Sequence, residues 1–230
     1  MDQLALILRC CESDQKAQHR PEWFSKVSCL KNLVRTFARP DVILHAIHDG
    51  PIGPLYEILV QHDFYIDKIN VNSNEKSLVN TLSYASGLPE YRWIYFVEDD
   101  YLHTPDGFEG LIEGLMLPQS VFVSLYDHMD RMTRTDDLDY GRTNVYLGEK
   151  HHWRTAESTT CTWAISQDDY LESGFELAMK HGLSDRALFR EALTMGKRLV
   201  TPMPGISTHC HIPFMSPLID WEKVNELSIY

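Results

Sequence analysis

Apolar and polar positions fall in short blocks along this chain. "LALILRC" (residues 4–10) is an unbroken apolar run, the pattern of a strand buried on both faces. "PEWFSKVSCLKNLVRTF" follows, with Phe24, Val27, Leu30, Val34 and Phe37 at helical spacing and Pro21 placed for the first helical turn. "DVILHAIHDG" predicts a second strand ending at Asp49-Gly50, "GPLYEILVQH" a short helix and "FYIDKINVN" a third strand. "SNEKSLVNTLSYASGL" reads as a helix with a polar start, stopped by Gly87 and Pro89. "RWIYFVED" predicts a fourth strand.

This alternation is the mark of an α/β fold with a mostly parallel central sheet and right-handed crossovers. Ligands of such sheets bind outside the carboxyl ends of the strands. The strand ends here carry Cys10-Cys11-Glu12, His48-Asp49-Gly50 and Glu98-Asp99-Asp100, which are expected to converge on one crevice. Farther along, the pattern loosens. "DGFEGLIEGLML" predicts a helix and "SVFVSLYDH" a strand, followed by a long polar, irregular stretch. Then come a strand at "CTWAIS", helices at "DDYLESGFELAMKHG" and "SDRALFREALTMGK", an extended "RLVTPMPGISTHCHIP" and a loop with a short terminal helix.

Composition narrows the class. With 230 residues and 43% hydrophobic content, one large domain over 1–230 is expected. A formal net charge of -12 argues against broad nucleic-acid or anionic-membrane binding, which needs a basic face. The 5 cysteines are scattered without a CxxC pair, so a thiol-reducing, cytoplasmic setting is expected. Cys161 and Cys210 read as small buried residues. "MDQLALILRCCESD" lacks the basic start of a signal peptide, and no run nears the roughly 20 apolar residues of a membrane span.

The chemistry concentrates at "RWIYFVEDDYLHTPDGF", where an apolar strand runs into Glu98, Asp99 and Asp100. Adjacent carboxylates repel one another unless something neutralises them, and Mg²⁺ or Mn²⁺ suits hard oxygen ligands. A solvated acidic turn that also supplies helix caps accounts for the same residues.

Downstream, "SDRALFREALTMG" and "THCH" follow "VEDDYL" in an order that resembles the GT-A glycosyltransferases, especially the inverting family-2 type. The resemblance spans most of the chain. It implies a GT-A fold with a nucleotide-sugar-binding half (1–103) and an acceptor-binding and catalytic half (104–230). It implies a metal-dependent transfer of a sugar from a UDP-, GDP- or dTDP-sugar to a hydroxyl of a glycan or other acceptor. By that resemblance Asp100 coordinates Mn²⁺ or Mg²⁺ with His209 or His211, while Glu98 and Asp99 contact ribose or a second-layer water. Asp49 contacts the nucleotide, and Asp185 is the general base. The chain departs from the pattern in having Ser184-Asp185 rather than two acids, no serine after "IHDG", and Glu-Asp-Asp rather than Asp-x-Asp.

Several residues have two readings. Asp185 also suits a helix start, and Asp49 a turn. Arg9, at the end of the first strand, pairs either with donor phosphates or with the acidic run. In "KHHWRTAESTT", Trp153 is a candidate to stack on a sugar or base and Arg154 to bind phosphate; a packed Trp and a solvated Arg are the alternatives. Asp127 is a candidate for the acceptor side. Three other functions stay open: a non-catalytic nucleotide- or carbohydrate-binding module, a sugar nucleotidyltransferase, and a glycosyltransferase acting on modified DNA. The nucleotidyltransferase usually has a glycine-rich basic loop after the first strand, whereas "LRCCESDQKAQHR" has no glycine. The DNA reading needs a basic face from "KHHWR" with Arg131, Arg134 and Arg142.

Overall fold

The computed structural model describes residues 3–14, 17–88, 91–128, 143–159 and 162–229. Arg131, Arg134, Arg142 and Cys161 lie outside them.

Strand β1 (Leu4–Cys11) is parallel to β2 (Val42–Asp49) on one side and β4 (Trp93–Glu98) on the other, and β2 is parallel to β3 (Tyr65–Ile69). The connecting helices are α1 (Lys26–Phe37), α2 (Pro54–Gln61) and α3 (Asn74–Ser86). Beyond β4 the sheet continues through β9 (Trp163–Ser166), β6 (Phe122–Val123), β10 (Leu199–Met203), β8 (His152–Ala156) and β7 (Val145–Leu147). β9 runs antiparallel to both of its neighbours, β4 and β6, and β6 is parallel to β10. The sequence order therefore reverses direction across the sheet at β1 and β4. A crevice outside their carboxyl ends is the expected ligand site.

Strand alternation divides the core. Leu4, Leu6, Leu8 and Cys10, with Trp93, Tyr95 and Val97, pack with buried residues of α1, α2 and α4 (Gly107–Leu115). Ile7, Ile94 and Phe96 pack on the other face with α3, with α6 (Asp185–Thr194), and with the composite helix α5. α5 opens at Gln167–Asp169, widens to a π turn at Tyr170–Gly174 and continues as Phe175–His181. Each fully buried Leu, Ile or Phe contributes about 1.5–3 kcal/mol of transfer free energy, so these two layers hold the sheet. A small antiparallel pair, β5 (Tyr101–His103) with β11 (Ser207–His209), caps the strand end after Asp100. Below it, Cys29, Leu102, Cys210 and Trp221 of α7 (Trp221–Ile229) form a third apolar cluster.

Three expectations change. α1 starts at Lys26, not near Pro21, because Ser25 is extended (φ -152°) and its Oγ accepts the Ser28 N–H at 3.3 Å. Within the long polar stretch, β7 and β8 form a hairpin tied down by Glu113, whose Oε1 accepts the N–H groups of Lys150 (3.0 Å) and His151 (3.1 Å). "YLH", read as part of an acidic turn, is strand β5. Among the described residues, no helix is long and apolar enough to cross a membrane.

Trp153 is a core residue. It is 0% exposed, its indole N–H donates to Glu113 Oε1 at 3.3 Å, and a Cβ at Gly114 would sit 2.6 Å from its ring. It has no free face for a sugar or base, which corrects the stacking expectation. Trp153→Ala is expected to cost about 3–5 kcal/mol of stability, read as a lowered denaturant midpoint, because the site cannot collapse fully around the cavity.

Candidate active site

Period-two alternation also distributes the acids at the end of β4. Glu98 follows Ile94 and Phe96 on one face, while Asp99 follows Tyr95 and Val97 on the other. Each carboxylate meets its own cation.

On the α3 and α6 face, Glu98 pairs with Arg9, its register partner across β1 and β4. Arg9 Nη1 also donates to the carbonyl of Asn74 at 3.2 Å. Asp49 is fixed by the same connection, since its Oδ1 accepts the N–H of Val71 at 2.9 Å. Gly50, at φ 102°, turns the chain directly after it. Asp49 thus has the turn role in this structure.

Asp185 reaches this face from the first turn of α6. Its Oδ2 accepts the N–H of Thr159 at 2.8 Å and its Oδ1 that of Arg186 at 2.8 Å. Thr159 is in turn held by Ser124, at 2.9 Å between the two hydroxyls. Burial pushes the Asp185 carboxyl up to about 6; its two N–H donors and the nearby His128 oppose the rise, and Glu98 adds to it.

On the α1 face, Asp99 Oδ2 accepts from Lys26 Nζ at 2.9 Å and from the Cys11 N–H at 2.8 Å. Lys26 spends its other donors on the carbonyls of Cys11 (2.9 Å) and Ser13 (2.7 Å). Burial raises Asp99 to about 6 against the pull of Lys26. Asp100 Oδ2 is 2.8 Å from Arg20 Nη2 and 3.0 Å from His209 Nε2. Burial alone would raise Asp100, but His209 and Arg20 outweigh it and hold the carboxyl well below its ordinary range. An open cleft of about 650 Å³ adjoins these groups, lined by Glu12, Asp14, Arg20, Lys26 and the start of α2. Glu12 caps α2, accepting the Tyr56 N–H at 3.1 Å.

The expected metal ligands do not assemble as a set. Asp100 and His209 meet, but they face the Arg20 guanidinium. The His211 ring stacks against both His209 (5.5 Å) and Phe214 (4.9 Å). Among the described residues, no three His, Cys, Asp or Glu side chains are arranged to hold a metal ion. Arg154 and Asp127 are also displaced from their expected roles. Both are buried, Arg154 Nε donates to Asp127 Oδ1 at 3.0 Å, and the pair is interior rather than open to phosphate or acceptor. The basic face expected of "KHHWR" loses Arg154 in this way.

No protein-family model matches the chain, and no curated protein is similar to it in sequence. Among solved structures it is similar to CMP:2-keto-3-deoxy-manno-octonic acid synthetase complexed with CTP. That likeness has a TM-score of 0.52 and 12% identity over 99% of this chain and 98% of the other. It is also similar to S. aureus TarS 1-349, with a TM-score of 0.50 and 10% identity over 86% of this chain and 57% of the other. The fold is GT-A-like. At this identity the likeness is one of fold, and it does not reach the inverting family-2 group.

Arg20, Lys26 and Asp14 have no counterpart among the expected site residues. Asp14 and Arg20 lie in "CESDQKAQHR", which is polar and has the composition of a solvated loop, and Lys26 follows it at the start of α1. Lys26→Met is expected to move the Asp99 titration above about 6, followed by carboxyl carbon NMR, because Lys26 is the charge that lowers it. A raised carboxylate favours folding at low pH and loses that contribution as pH rises through its folded value. The variant's stability deficit therefore widens with pH.

Proposed function

We propose that this chain is a glycosyltransferase that moves a sugar from a nucleoside-diphosphate sugar to an acceptor hydroxyl, with inversion and with Asp185 as general base. The observation that carries this is the Asp185 carboxyl. It is fixed by two backbone N–H groups, lies close enough to Glu98 to feel its charge, and is raised by burial to about 6. A base works best when its pKa lies near the operating pH. The acceptor O–H gives its proton to Asp185, the freed oxygen attacks the anomeric carbon, and the bond pair of the departing C–O bond leaves with the nucleoside diphosphate. TarS, a glycosyltransferase of similar fold, supports the reading. The donor is a UDP-, GDP- or dTDP-sugar and the acceptor a glycan or other hydroxyl.

One observation favours a second reading, a sugar nucleotidyltransferase. The CTP-bound synthetase matches this chain over nearly the whole of both, and cations line the cleft after β1. The products separate the two. A panel of nucleotide-sugars is expected to release nucleoside diphosphate in the presence of acceptor; pyrophosphate release from CTP and a free sugar would establish the second reading instead. Nucleotide binding with neither product would mark a binding module.

Asp185 accepts a proton only when ionised, so kcat/KM is expected to rise with pH through about 6. Asp185→Asn is expected to keep donor binding, measured by thermal shift, and to lose about 10²–10⁴-fold in transfer. Asp99→Asn is expected to keep the acid limb of the profile, because Asp99 faces Lys26 rather than α6.

A further inference from the structure

We propose that the Arg20 guanidinium is the resident counter-cation of this crevice, occupying the place on Asp100 that a divalent metal would need. Arg20 is built into the site rather than resting on it. Its Nη2 lies 2.8 Å from Asp100 Oδ2 and its Nη1 donates to the Cys210 carbonyl at 2.7 Å. Its Nε and Nη2 reach Asp14 at 3.3 and 3.2 Å, and its guanidinium carbon lies 4.4 Å from the centre of the Phe24 ring. The Cys210 N–H donates back to the Asp100 carbonyl at 2.8 Å, so the ring of contacts closes on itself. The Arg20 side chain is 6% exposed.

The chemistry follows from the charges. Asp100 Oδ2 is shared between a guanidinium and His209, and its Oδ1, which has no hydrogen-bond partner, is buried rather than turned to the cleft. A divalent ion brought to Asp100 would lie against a fixed positive charge that cannot be deprotonated at any working pH. An oxygen-ligated metal also needs several carboxylate or carbonyl oxygens, whereas Asp99 Oδ2 is engaged by Lys26 and Cys11, and the Cys210 carbonyl by Arg20 itself. Resting on the nucleotide-sugar reading above, the same geometry places a planar guanidinium, not a metal, beside the donor's diphosphate. With Nε, Nη1 and Nη2 already engaged on Asp14, Cys210 and Asp100, it acts there as a fixed positive charge.

Mn²⁺ binding to the full chain, followed by electron paramagnetic resonance, tests the proposal. Wild type is expected to match Asp100→Asn, because Asp100 offers the ion no site while Arg20 is present. Arg20→Gln is expected to gain a site about tenfold tighter or more, abolished when Asp100→Asn is added, and Arg20→Lys to gain none. Asp100-dependent Mn²⁺ binding in the wild type overturns the proposal, and so does a folded Arg20→Gln without the gain. If Arg20→Gln does not fold, the comparison of wild type with Asp100→Asn decides. UDP and GDP are then tested by thermal shift with EDTA or with Mn²⁺. Equal stabilisation is expected, and a requirement for Mn²⁺ overturns the proposal. No effect of either nucleotide overturns the nucleotide-sugar reading instead, and the Mn²⁺ comparison still decides the role of Arg20.

Discussion

One cation for each carboxylate is the constraint on which this crevice depends. Glu98, Asp99 and Asp100 are consecutive, and β4 delivers them to the end of the sheet with little water around them. A buried carboxylate without a partner costs several kcal/mol, enough to offset much of the marginal stability of a domain. The chain meets this with Arg9, Lys26 and Arg20, each drawn from a different place: β1, the first turn of α1, and the loop between them. The β1–α1 connection is therefore not a tether. It carries one of the three charges that let β4 end as it does and leads directly into another, Lys26.

The pleat of β4 gives these pairs separate tasks. Glu98 and Arg9 share a face with Asp185 and α6, where a carboxyl of raised pKa is suited to proton transfer. Asp99 and Asp100, in the turn directly after β4, are balanced instead by Lys26 and Arg20 beside the large cleft. Proton chemistry and charge balance are thus kept apart at the end of one strand.

Much of the fold was legible from hydrophobic spacing, because the first four strands and three helices each show their own period. The signal failed where length or context decides. β6 keeps only two residues of the strand expected at "SVFVSLYDH", and β5 and β11 exist only because each supplies the other's hydrogen bonds. The β7–β8 hairpin is polar outside and is held by Glu113 from α4, a partner 37 or more residues away. Trp153 and Arg154 show why side-chain type misleads: an aromatic and a cation beside one another suit a binding loop as well as a strand packed against a helix. At the site, the strand-end acids were visible as a break in an apolar run. Their cations were not, because Lys26 and Arg20 stand 73 and 80 residues from their partners and look like ordinary surface charges in a polar loop. The ligand role of His209 rested on resemblance, and its meeting with Asp100 across β5 and β11 is a tertiary fact.

That meeting has a consequence for the order in which the protein is made. Asp100 and His209 are 109 residues apart, and Cys210, which holds both the Asp100 backbone and Arg20, comes next in the chain. During synthesis the amino-terminal strands emerge with Asp100 long before the residues that close its surroundings exist. At about 5–20 residues per second, that interval lasts several seconds. The crevice is encoded early and completed late, so a chain cut short before residue 209 retains the acids of the site without the clasp that holds one of them in place.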